Sequence, residues 1–525
     1  MSPRHRAVSA SHSPLKRHTH RPIVTFALML GMFLAAVEGT IVATAMPSIV
    51  TALGGFSHYS WVFSIYLLTE AITIPIYGKF ADLFGRKPVF IFGTTLFLVG
   101  TALCGLSNTM LQLIVFRGLQ GLGSGAIIPL ASTMVGDLYS IKERPRVQGA
   151  MSSVWAVASV IGPALGGFIV AHLDWHWIFY INIPFGIAAI AVLTWFFHED
   201  VQRASRTPQI DYAGTFLLIT GVGTLMLMLV QGGTAWPWTS APIVLLAAIT
   251  VIALTLFVLQ ERRAAEPLLP LDLLRDRTIL LCNVGSLFGG GLIFGLTSFI
   301  PTFAQGVLGV GAIQAGALLT LMSIGWPLAS NLTGWAWRSI GHRGTAMLGT
   351  FLTFLSGSLL VTVGPNSPAW LLGAGSFIMG MGLGFSQTTY IVTVQSRVAW
   401  NRRGAATSSN MFNRILGSTV WVAFLGGILN QRLQRTLAGI DEMPGDLLAQ
   451  SGAATDAGLD VVSLLLDPGI RETISPPLLT QLQEALAHGI HGVFVAVFIT
   501  GAAAFILTCN LPRQALLGDA MGPKR

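Results

Sequence analysis

The chain has 525 residues, of which 53% are hydrophobic and 10% are charged, and its mean hydropathy is +0.69. A soluble domain carries about a quarter charged residues, so this composition excludes a water-soluble protein and requires a lipid bilayer as solvent. The net charge of +8 accompanies no basic face and no RNA-binding motif, which excludes a nucleic-acid partner.

Apolar runs of about 20 residues predict transmembrane helices. Fourteen such runs follow one another along the chain, so we predict an all-α integral membrane protein that crosses the bilayer fourteen times. In chain order, the predicted spans are 23–49, 61–80, 88–107, 109–135, 148–171, 176–197, 212–231, 241–260, 278–305, 313–333, 344–363, 369–394, 405–430 and 488–510.

The orientation of the spans follows from the Lys and Arg residues between them. If the amino terminus is cytoplasmic, the inside connections carry these residues, whereas the short outside connections between the first twelve spans carry none. Both terminal tails, 1–22 and 511–525, are therefore predicted to be cytoplasmic. The long connection 431–487 is predicted to lie outside as a solvated cap.

One sequence pattern occurs twice at corresponding positions. Residues 78–87 and 334–343 each contain a glycine, six further residues, a second glycine and two basic or potentially basic residues. The repeat predicts a six-helix half at 23–197, two inserted helices with a cytoplasmic loop at 198–277, and a second six-helix half at 278–510. Parallel halves around a midplane cavity are typical of transporters. A nontransporting membrane sensor that binds a ligand in such a cavity is an alternative.

Several motifs occur in the order of a known family. Residues 78–88 (GKFADLFGRKP), 117–123 (RGLQGLG) and 161–167 (IGPALGG) resemble motifs of the major facilitator superfamily. Residues 37–47 (VEGTIVATAMP) and 175–186 (WHWIFYINIPFG) resemble its fourteen-span drug:proton antiporters, the QacA/EmrB-like group. The chain departs from that group at Glu38, where Asp is usual, and at Glu70, where an uncharged residue is usual.

This resemblance covers essentially the whole chain and implies the major facilitator fold, with two six-helix halves plus two inserted central helices. It implies a proton-coupled antiporter that exports lipophilic, cationic small molecules, and therefore multidrug efflux and antibiotic resistance. It also implies a multi-pass protein of the bacterial cytoplasmic (inner) membrane, and we expect a monomer. An exporter of lipids, glycolipids or one dedicated metabolite on the same fold is an alternative.

We expect neither enzymatic activity nor a cofactor. The sequence has no Walker lysine loop, so ATP is not expected to drive transport. His172 and His176 lie near an outer turn, but no Cys or carboxylate cluster completes a metal site there. The proton gradient is the expected energy source, and the expected partners are protons, a lipophilic substrate and the lipid bilayer.

Four strongly ionisable side chains lie well within the predicted spans: Glu38, Glu70, Arg117 and Arg414. At a rise of about 1.5 Å per residue, Glu38 lies roughly 16 Å from the outer end of its span, and Glu70 and Arg117 roughly 14 Å. These three residues are predicted to couple proton movement, because one arginine neutralises only one of two carboxylates. A buried ion pair that only fixes helix packing is the alternative.

The two carboxylates are predicted to have different roles. We favour Glu38 for proton coupling, because it lies in the antiporter-like motif, and Glu70 for the substrate. Arg414 is grouped with the conformational motifs, and we expect it to form a structural hydrogen bond to backbone carbonyl groups rather than to bind substrate. The predicted substrate cavity consists of residues that share the helical faces of Glu70 and Arg117; these are Glu70, Tyr66, Thr73, Gln120 and Ser124.

Two motifs are predicted to carry the conformational change. In the first, Gly78 and Gly85 permit a tight turn, and Asp82 pairs with Arg86 or caps a neighbouring helix, beside Lys87. The family resemblance implies that this loop stabilises the outward-facing state. In the second motif, in span 5, glycines permit close helix contact around a proline kink, and the resemblance implies antiport; its residues are Gly162, Pro163, Gly166 and Gly167.

Overall fold

The computed structural model describes residues 19–53, 59–199, 211–232, 236–269, 271–437, 465 and 474–513. These residues fold into helices joined by short turns, with one isolated bridge between Gly232 and Trp236. The α-helices are α1 (Arg21–Leu53), α2 (Tyr59–Phe84), α3 (Arg86–Cys104), α4 (Met110–Leu138), α5 (Arg144–His172), α6 (Trp177–Tyr180), α7 (Asn182–Phe196), α8 (Tyr212–Gln231), α9 (Ala241–Glu261), α10 (Arg277–Gly306), α11 (Ala312–Val361), α12 (Trp370–Ser396), α13 (Arg403–Leu437) and α14 (Pro476–Cys509).

Some predicted features lie wholly or partly outside the described residues. They are the basic tail as far as residue 18, the loop 200–210, most of the connection 431–487, and the carboxy-terminal tail from residue 514 onward.

Thirteen helical segments of the described residues are long and apolar enough to cross a membrane, and α6 and α7 together form one of them. Helix α11 has 50 residues. It consists of two helical parts that meet at a kink at Gly341, and at about 1.5 Å per residue they contain roughly 75 Å of helix together, more than twice the thickness of a bilayer core of about 30 Å. It therefore supplies two of the predicted spans, which brings the crossings to fourteen. The predicted all-α membrane fold is confirmed.

The two copies of the repeated glycine pattern have the same backbone geometry at their second glycine. Gly85 separates α2 from α3 with φ 96° and ψ 155°, and Gly341 kinks α11 with φ 72° and ψ 175°. Positive φ values are costly for residues with a Cβ atom, which explains glycine at both positions. The predicted turn at 334–343 is wrong in its length, because the chain is helical on both sides of Gly341 and turns at that residue alone.

Each half of the molecule has its own apolar core. In the first half, helices α1 to α7 pack around residues such as Phe90 and Phe97. In the second half, helices α10 to α14 pack around residues such as Phe303, Leu425 and Phe494. Each half therefore has a core of its own, and a further apolar cluster joins the two halves.

The two halves contact each other near Gly85 and Gly341. Helix α2 packs on α13, where Gly78 lies directly against Ser408, and α5 packs on α11, where Gly149 lies against Asn331. A side chain at Gly78 or Gly149 would collide with the opposite helix. The halves are therefore closed against each other at this end, which we call the Gly85 end.

The inserted helices α8 and α9 lie beside the junction of α2 and α13. Val222 of α8 and Phe257 of α9 join an apolar cluster that also contains Ile72 of α2 and Phe412 of α13. The insert thus contacts both halves without separating them.

The linker between α9 and α10 also connects the halves. Lys79 of α2 forms an ion pair of 2.5 Å with Glu266 of this linker. Farther along the linker, Asp272 accepts a hydrogen bond of 2.6 Å from Arg402, which lies just before α13. That hydrogen bond keeps the pKa of the exposed Asp272 carboxyl below its usual value. The carboxylate of each pair is exposed, and such pairs contribute little stability each, so we assign the main attachment of the halves to the buried contacts described below.

Candidate functional site

A buried ion pair lies in the interior of the first half. Arg117 of α4 donates a hydrogen bond of 2.6 Å from Nη1 to Oε1 of Glu38 in α1. Glu38 is 0% exposed and Arg117 is 1% exposed. A second bond, of 3.2 Å, runs from Nε of Arg117 to the carbonyl oxygen of Val62 in α2. The pair therefore joins three helices.

Amide side chains complete this network. Asn182 of α7 donates a bond of 2.7 Å to Oε2 of Glu38. Gln120 accepts a bond of 2.7 Å from Nη1 of Arg117 and donates one of 2.8 Å to Thr101 of α3. Both carboxylate oxygens of Glu38 consequently have hydrogen-bond donors. The sequence did not single out Asn182 or Thr101, although Asn182 lies within the 175–186 motif.

Glu70 lies next to this network, on α2. Arg117 places its guanidinium 4.3 Å from the ring centroid of Tyr66, one helical turn before Glu70. The Tyr66 hydroxyl donates a bond of 2.7 Å to Ser124, and Ser124 in turn interacts with the Glu70 carboxyl. No ion pair within 4 Å is seen for Glu70 among the described residues, so Glu38 alone is the close carboxylate partner of Arg117.

The predicted substrate-cavity residues are buried together within the first half. Gln120 and Ser124 are 0% exposed, and Tyr66, Thr73 and Glu70 are at most 8% exposed. Thr73 packs against Gly125 of α4, and its hydroxyl donates hydrogen bonds to carbonyl groups of its own helix. The structure therefore brings the predicted residues together, with Thr73 at a helix–helix contact.

Arg414 of α13 reaches the same region from the second half. Its guanidinium interacts electrostatically with Glu70 across the junction of the halves. The expected hydrogen bonds from Arg414 to backbone carbonyl groups are not present among the described residues. Its own backbone carbonyl lies against Gly290 of α10, where no side chain would fit. The residue thus combines a tight helix contact with a charge that acts on Glu70 of the first half.

A second polar cluster holds the halves together at the Gly85 end. Asp82 accepts hydrogen bonds of 2.9 and 2.8 Å from the backbone N–H groups of Gly404 and Ala405. These residues begin α13, so the carboxylate of one half caps a helix of the other, where the positive end of the helix dipole lies. Arg86 adds a bond of 3.1 Å to Asp82.

Arg86 has further partners on both sides of the junction. Its Nε atom lies 3.1 Å from Asp137 of α4, and its guanidinium stacks on the ring of Trp400 at 3.7 Å from the centroid. It also donates a hydrogen bond to the carbonyl group of Trp400, and Arg403 forms an ion pair with Asp137. We call these five residues the interhalf latch: Asp82, Arg86, Asp137, Trp400 and Arg403.

Glu199 fixes the turn that carries the latch. Its carboxylate accepts bonds of 3.0 and 2.9 Å from the backbone N–H groups of Arg86 and Lys87. Burial raises the pKa of the Glu199 carboxyl above its usual value. Lys87 donates hydrogen bonds to the carbonyl groups of Thr194 and Phe197, near the end of α7. The turn after Gly85 is therefore held by backbone hydrogen bonds to Glu199 and by hydrogen bonds from Lys87 to the end of α7.

The glycine motif of α5 makes close contact with α1. Gly162 lies against Thr40, and Gly166 lies against Ile41. Pro163 lies inside the helix, and Thr40 donates a hydrogen bond of 3.4 Å to a carbonyl group of α5. Gly167, in contrast, has no atom within 4 Å of its Cβ position. The predicted close packing is thus limited to Gly162 and Gly166.

We expect the substitution Gly85→Val to impair transport while leaving membrane insertion intact. Valine at a φ of 96° is strained by about 1–3 kcal/mol, and this strain acts on the turn that positions Arg86. Transport should fall about tenfold or more. Gly167→Val, which places the same side chain in open space on α5, is the control. Efflux from vesicles containing equal amounts of protein measures the difference, and equal rates for both variants would contradict the latch geometry.

A buried charge network inside one helical half, together with a polar latch between two halves, is characteristic of a membrane transporter whose halves move against each other. The model of the Major Facilitator Superfamily matches residues 28–214 and 211–422 of the chain. The chain belongs to this superfamily.

Proteins of similar sequence extend the comparison. The multidrug transporter protein MdtP of Bacillus subtilis is 36% identical over 512 residues, which cover 94% of this chain and 93% of MdtP. Multidrug resistance protein 3 of the same organism is 32% identical over 480 residues, covering 91% and 92% of the two chains. Both relatives carry multidrug names, and they agree with a multi-pass membrane transporter of this superfamily.

A solved structure agrees on the fold. The crystal structure of the human organic anion transporter MFSD10 (TETRAN) matches with a TM-score of 0.62. The match covers 93% of this chain and 99% of that protein at 13% sequence identity. At this identity, the likeness concerns the fold alone.

Proposed function

We propose that the protein is a proton-coupled antiporter that exports lipophilic, cationic small molecules. The observation that carries the proposal is the buried group of Glu38, Arg117 and Glu70, in which the charge of one arginine acts on two carboxylates. Charged groups at such depth are costly and are kept where they bind or move charge. The relatives named as multidrug proteins support export of small molecules.

Glu38 is the proposed proton-coupling residue. Its carboxylate accepts hydrogen bonds from Arg117 and Asn182, so Arg117 is held towards α1. A proton on Glu38 cancels the negative charge that holds Arg117. The guanidinium is then attracted mainly to the remaining carboxylate, Glu70.

Glu70 is the proposed substrate residue. It has no close ion-pair partner among the described residues, and the Tyr66 ring is one helical turn away. A lipophilic cation could balance the carboxylate and stack on such a ring. When Arg117 turns towards Glu70, it competes with this cation for the same carboxylate. Binding of a proton at Glu38 is thereby coupled to release of the substrate from Glu70, through the charge of Arg117.

The structure corresponds, in this proposal, to the outward-facing state. The orientation predicted from Lys and Arg places the closed Gly85 end in the cytoplasm, together with both termini. The bacterial relatives support a location in a bacterial cytoplasmic membrane. The proposed energy source is the proton gradient, without a cofactor, and the proposed functional unit is a monomer.

Proton flux in liposomes tests the proposal. In liposomes that contain the purified protein, a lipophilic cation added outside should cause protons to move from the inside to the outside. In the second experiment, an applied pH gradient should drive accumulation of the cation. Binding of the cation without any flux would indicate a sensor. Flux with lipids but not with small cations would indicate a lipid exporter.

We expect Glu70→Gln to separate cationic from neutral substrates. Removing the carboxylate should lower efflux of a lipophilic cation about tenfold or more, because a charge pair at about 4 Å is worth up to roughly 4 kcal/mol in a partly polar interior. Efflux of a neutral substrate of matched size should change less than about twofold. Glu143→Gln, on the surface at the start of α5, is the control. An equal loss for both substrates would remove Glu70 from substrate recognition.

A further inference from the structure

A groove between α13 and α14 in the second half is not used by the transport site. Its volume is about 570 Å³, within the range of roughly 300–1,000 Å³ that is typical of small-molecule sites. Aromatic side chains form its floor, and two arginines lie at its upper end. This combination of an apolar floor and a cationic entrance suits an amphiphile with an anionic head.

The groove opens towards the lipid. Helix α14 packs against α10 through Phe494 and against α11 through Phe498. Its remaining side carries Ile499 and Ile506, which are 58% and 65% exposed. Ile499 lines the groove. Since exposed apolar side chains of a membrane helix contact acyl chains, the groove is continuous with the bilayer.

The entrance of the groove is positively charged. Arg432 and Arg435 are three residues apart on α13, so they lie on one face of the helix. The guanidinium of Arg432 crosses Gly492 of α14, where a Cβ atom would collide with it. Neither arginine forms an ion pair within the part of the chain that the structure describes. The absence of a side chain at Gly492 therefore leaves room for a guanidinium directed into the groove.

The aromatic floor of the groove lies about half the thickness of the bilayer core away from the two arginines at its entrance. Trp421 donates a hydrogen bond of 2.9 Å to Thr500 and meets Phe288 edge to face, with ring centroids 5.7 Å apart. Arg432 follows Trp421 by eleven residues, which corresponds to roughly 16 Å along the helix. Half of a bilayer core of about 30 Å has the same depth. A lipid with its phosphate at Arg432 would therefore place its chain end near Trp421.

We propose that this groove binds an anionic phospholipid of the leaflet at the α13 carboxy-terminal end, the outer leaflet in the predicted orientation. Arg432 and Arg435 hold the phosphate through charge-assisted hydrogen bonds, and one acyl chain fills the groove above Phe288 and Trp421. The site is selective for a net negative head group, because a zwitterionic head brings its own cation to the two arginines.

Lipid retention measured by native mass spectrometry tests the selectivity. The full-length protein in detergent is titrated with phosphatidylglycerol or phosphatidylcholine that have identical acyl chains. We expect the wild type to retain phosphatidylglycerol preferentially, and each arginine removed to lower that preference about fivefold. The double variant Arg432→Gln/Arg435→Gln should therefore lose the preference. Arg338→Gln, which removes an exposed arginine of α11, should keep it.

The location of the lipid is tested by fluorescence. Phosphatidylglycerol with brominated acyl chains should quench the Trp421 emission, taken as the difference between the wild type and Trp421→Phe. Ala503→Phe, which fills the groove from α14, should remove that quenching. Equal retention of the two lipids by the wild type, preference retained in the double arginine variant, or no quenching of Trp421 would each overturn the proposal.

Discussion

Substitution of Glu38 by Gln is expected to abolish substrate-driven proton flux for every substrate, by at least about a hundredfold. The amide cannot carry the exchanged proton. It also leaves Arg117, which is 1% exposed, without the carboxylate that lies 2.6 Å away. Breaking a buried pair in this way costs about 3–5 kcal/mol. Proton flux and efflux are measured with the same liposome preparations that are used for the wild type.

A loss of folding must be distinguished from a loss of coupling. The double variant Glu38→Gln/Arg117→Gln removes both charges, so we expect it to recover thermal stability relative to Glu38→Gln but not to recover proton flux. Glu143→Gln serves as the surface control. Wild-type flux in Glu38→Gln under a pH gradient would transfer proton coupling to Glu70.

The sequence predicted the number and order of the membrane helices, because apolar composition reports directly on the bilayer core. It could not predict where helices end outside that core. The predicted span 405–430 is part of a helix that begins at Arg403 and continues to Leu437. Five of the seven residues from Gln431 to Leu437 are polar, and hydropathy does not distinguish a largely polar helix from a polar loop. The same limit explains the turn predicted at 334–343, where only Gly341 leaves the helical conformation.

The sequence also predicted that Arg117 and the two glutamates lie at one depth, since helix rise converts residue number into height. It could not say which glutamate pairs with Arg117. Their predicted depths differ by roughly 2 Å, so the choice depends on how α1 and α2 are rotated about their axes. The packing of neighbouring helices sets that rotation. One such contact is that of Gly162 and Gly166 of α5 with α1.

Several partners of the predicted residues were not singled out from the sequence. Thr101 and Asn182 are uncharged polar residues in apolar runs, which are common and usually bond to their own helix. Asp137 and Trp400 lie at span ends, where acidic and aromatic residues are typical of the interface. The roles of Asp137 and Trp400 depend on the tertiary contact between the halves, which the sequence alone does not show.

Substitution of Asp82 by Asn is expected to open the Gly85 end of the molecule. Both carboxylate oxygens of Asp82 accept hydrogen bonds from the start of α13, at 2.9 and 2.8 Å, and one also accepts a bond from Arg86. An amide offers one acceptor and no charge, so the helix dipole of α13 and Arg86 both lose their counter-charge. A loss of about 3 kcal/mol shifts the equilibrium between closed and open states roughly a hundredfold.

The state of the Gly85 end is measured by the distance between spin labels. Labels replacing Arg146 of α5 and Arg338 of α11, both exposed, report on the separation of the halves. In Asp82→Asn, we expect a longer mean distance and efflux reduced at least about tenfold. Asp174→Asn, which changes an aspartate with a 61% exposed side chain, should leave both values unchanged. Because Arg86 keeps Asp137 and Trp400 in this variant, the fold of the first half should survive. An unchanged label distance together with lost efflux would mean that Asp82 serves transport by another route than closing the halves.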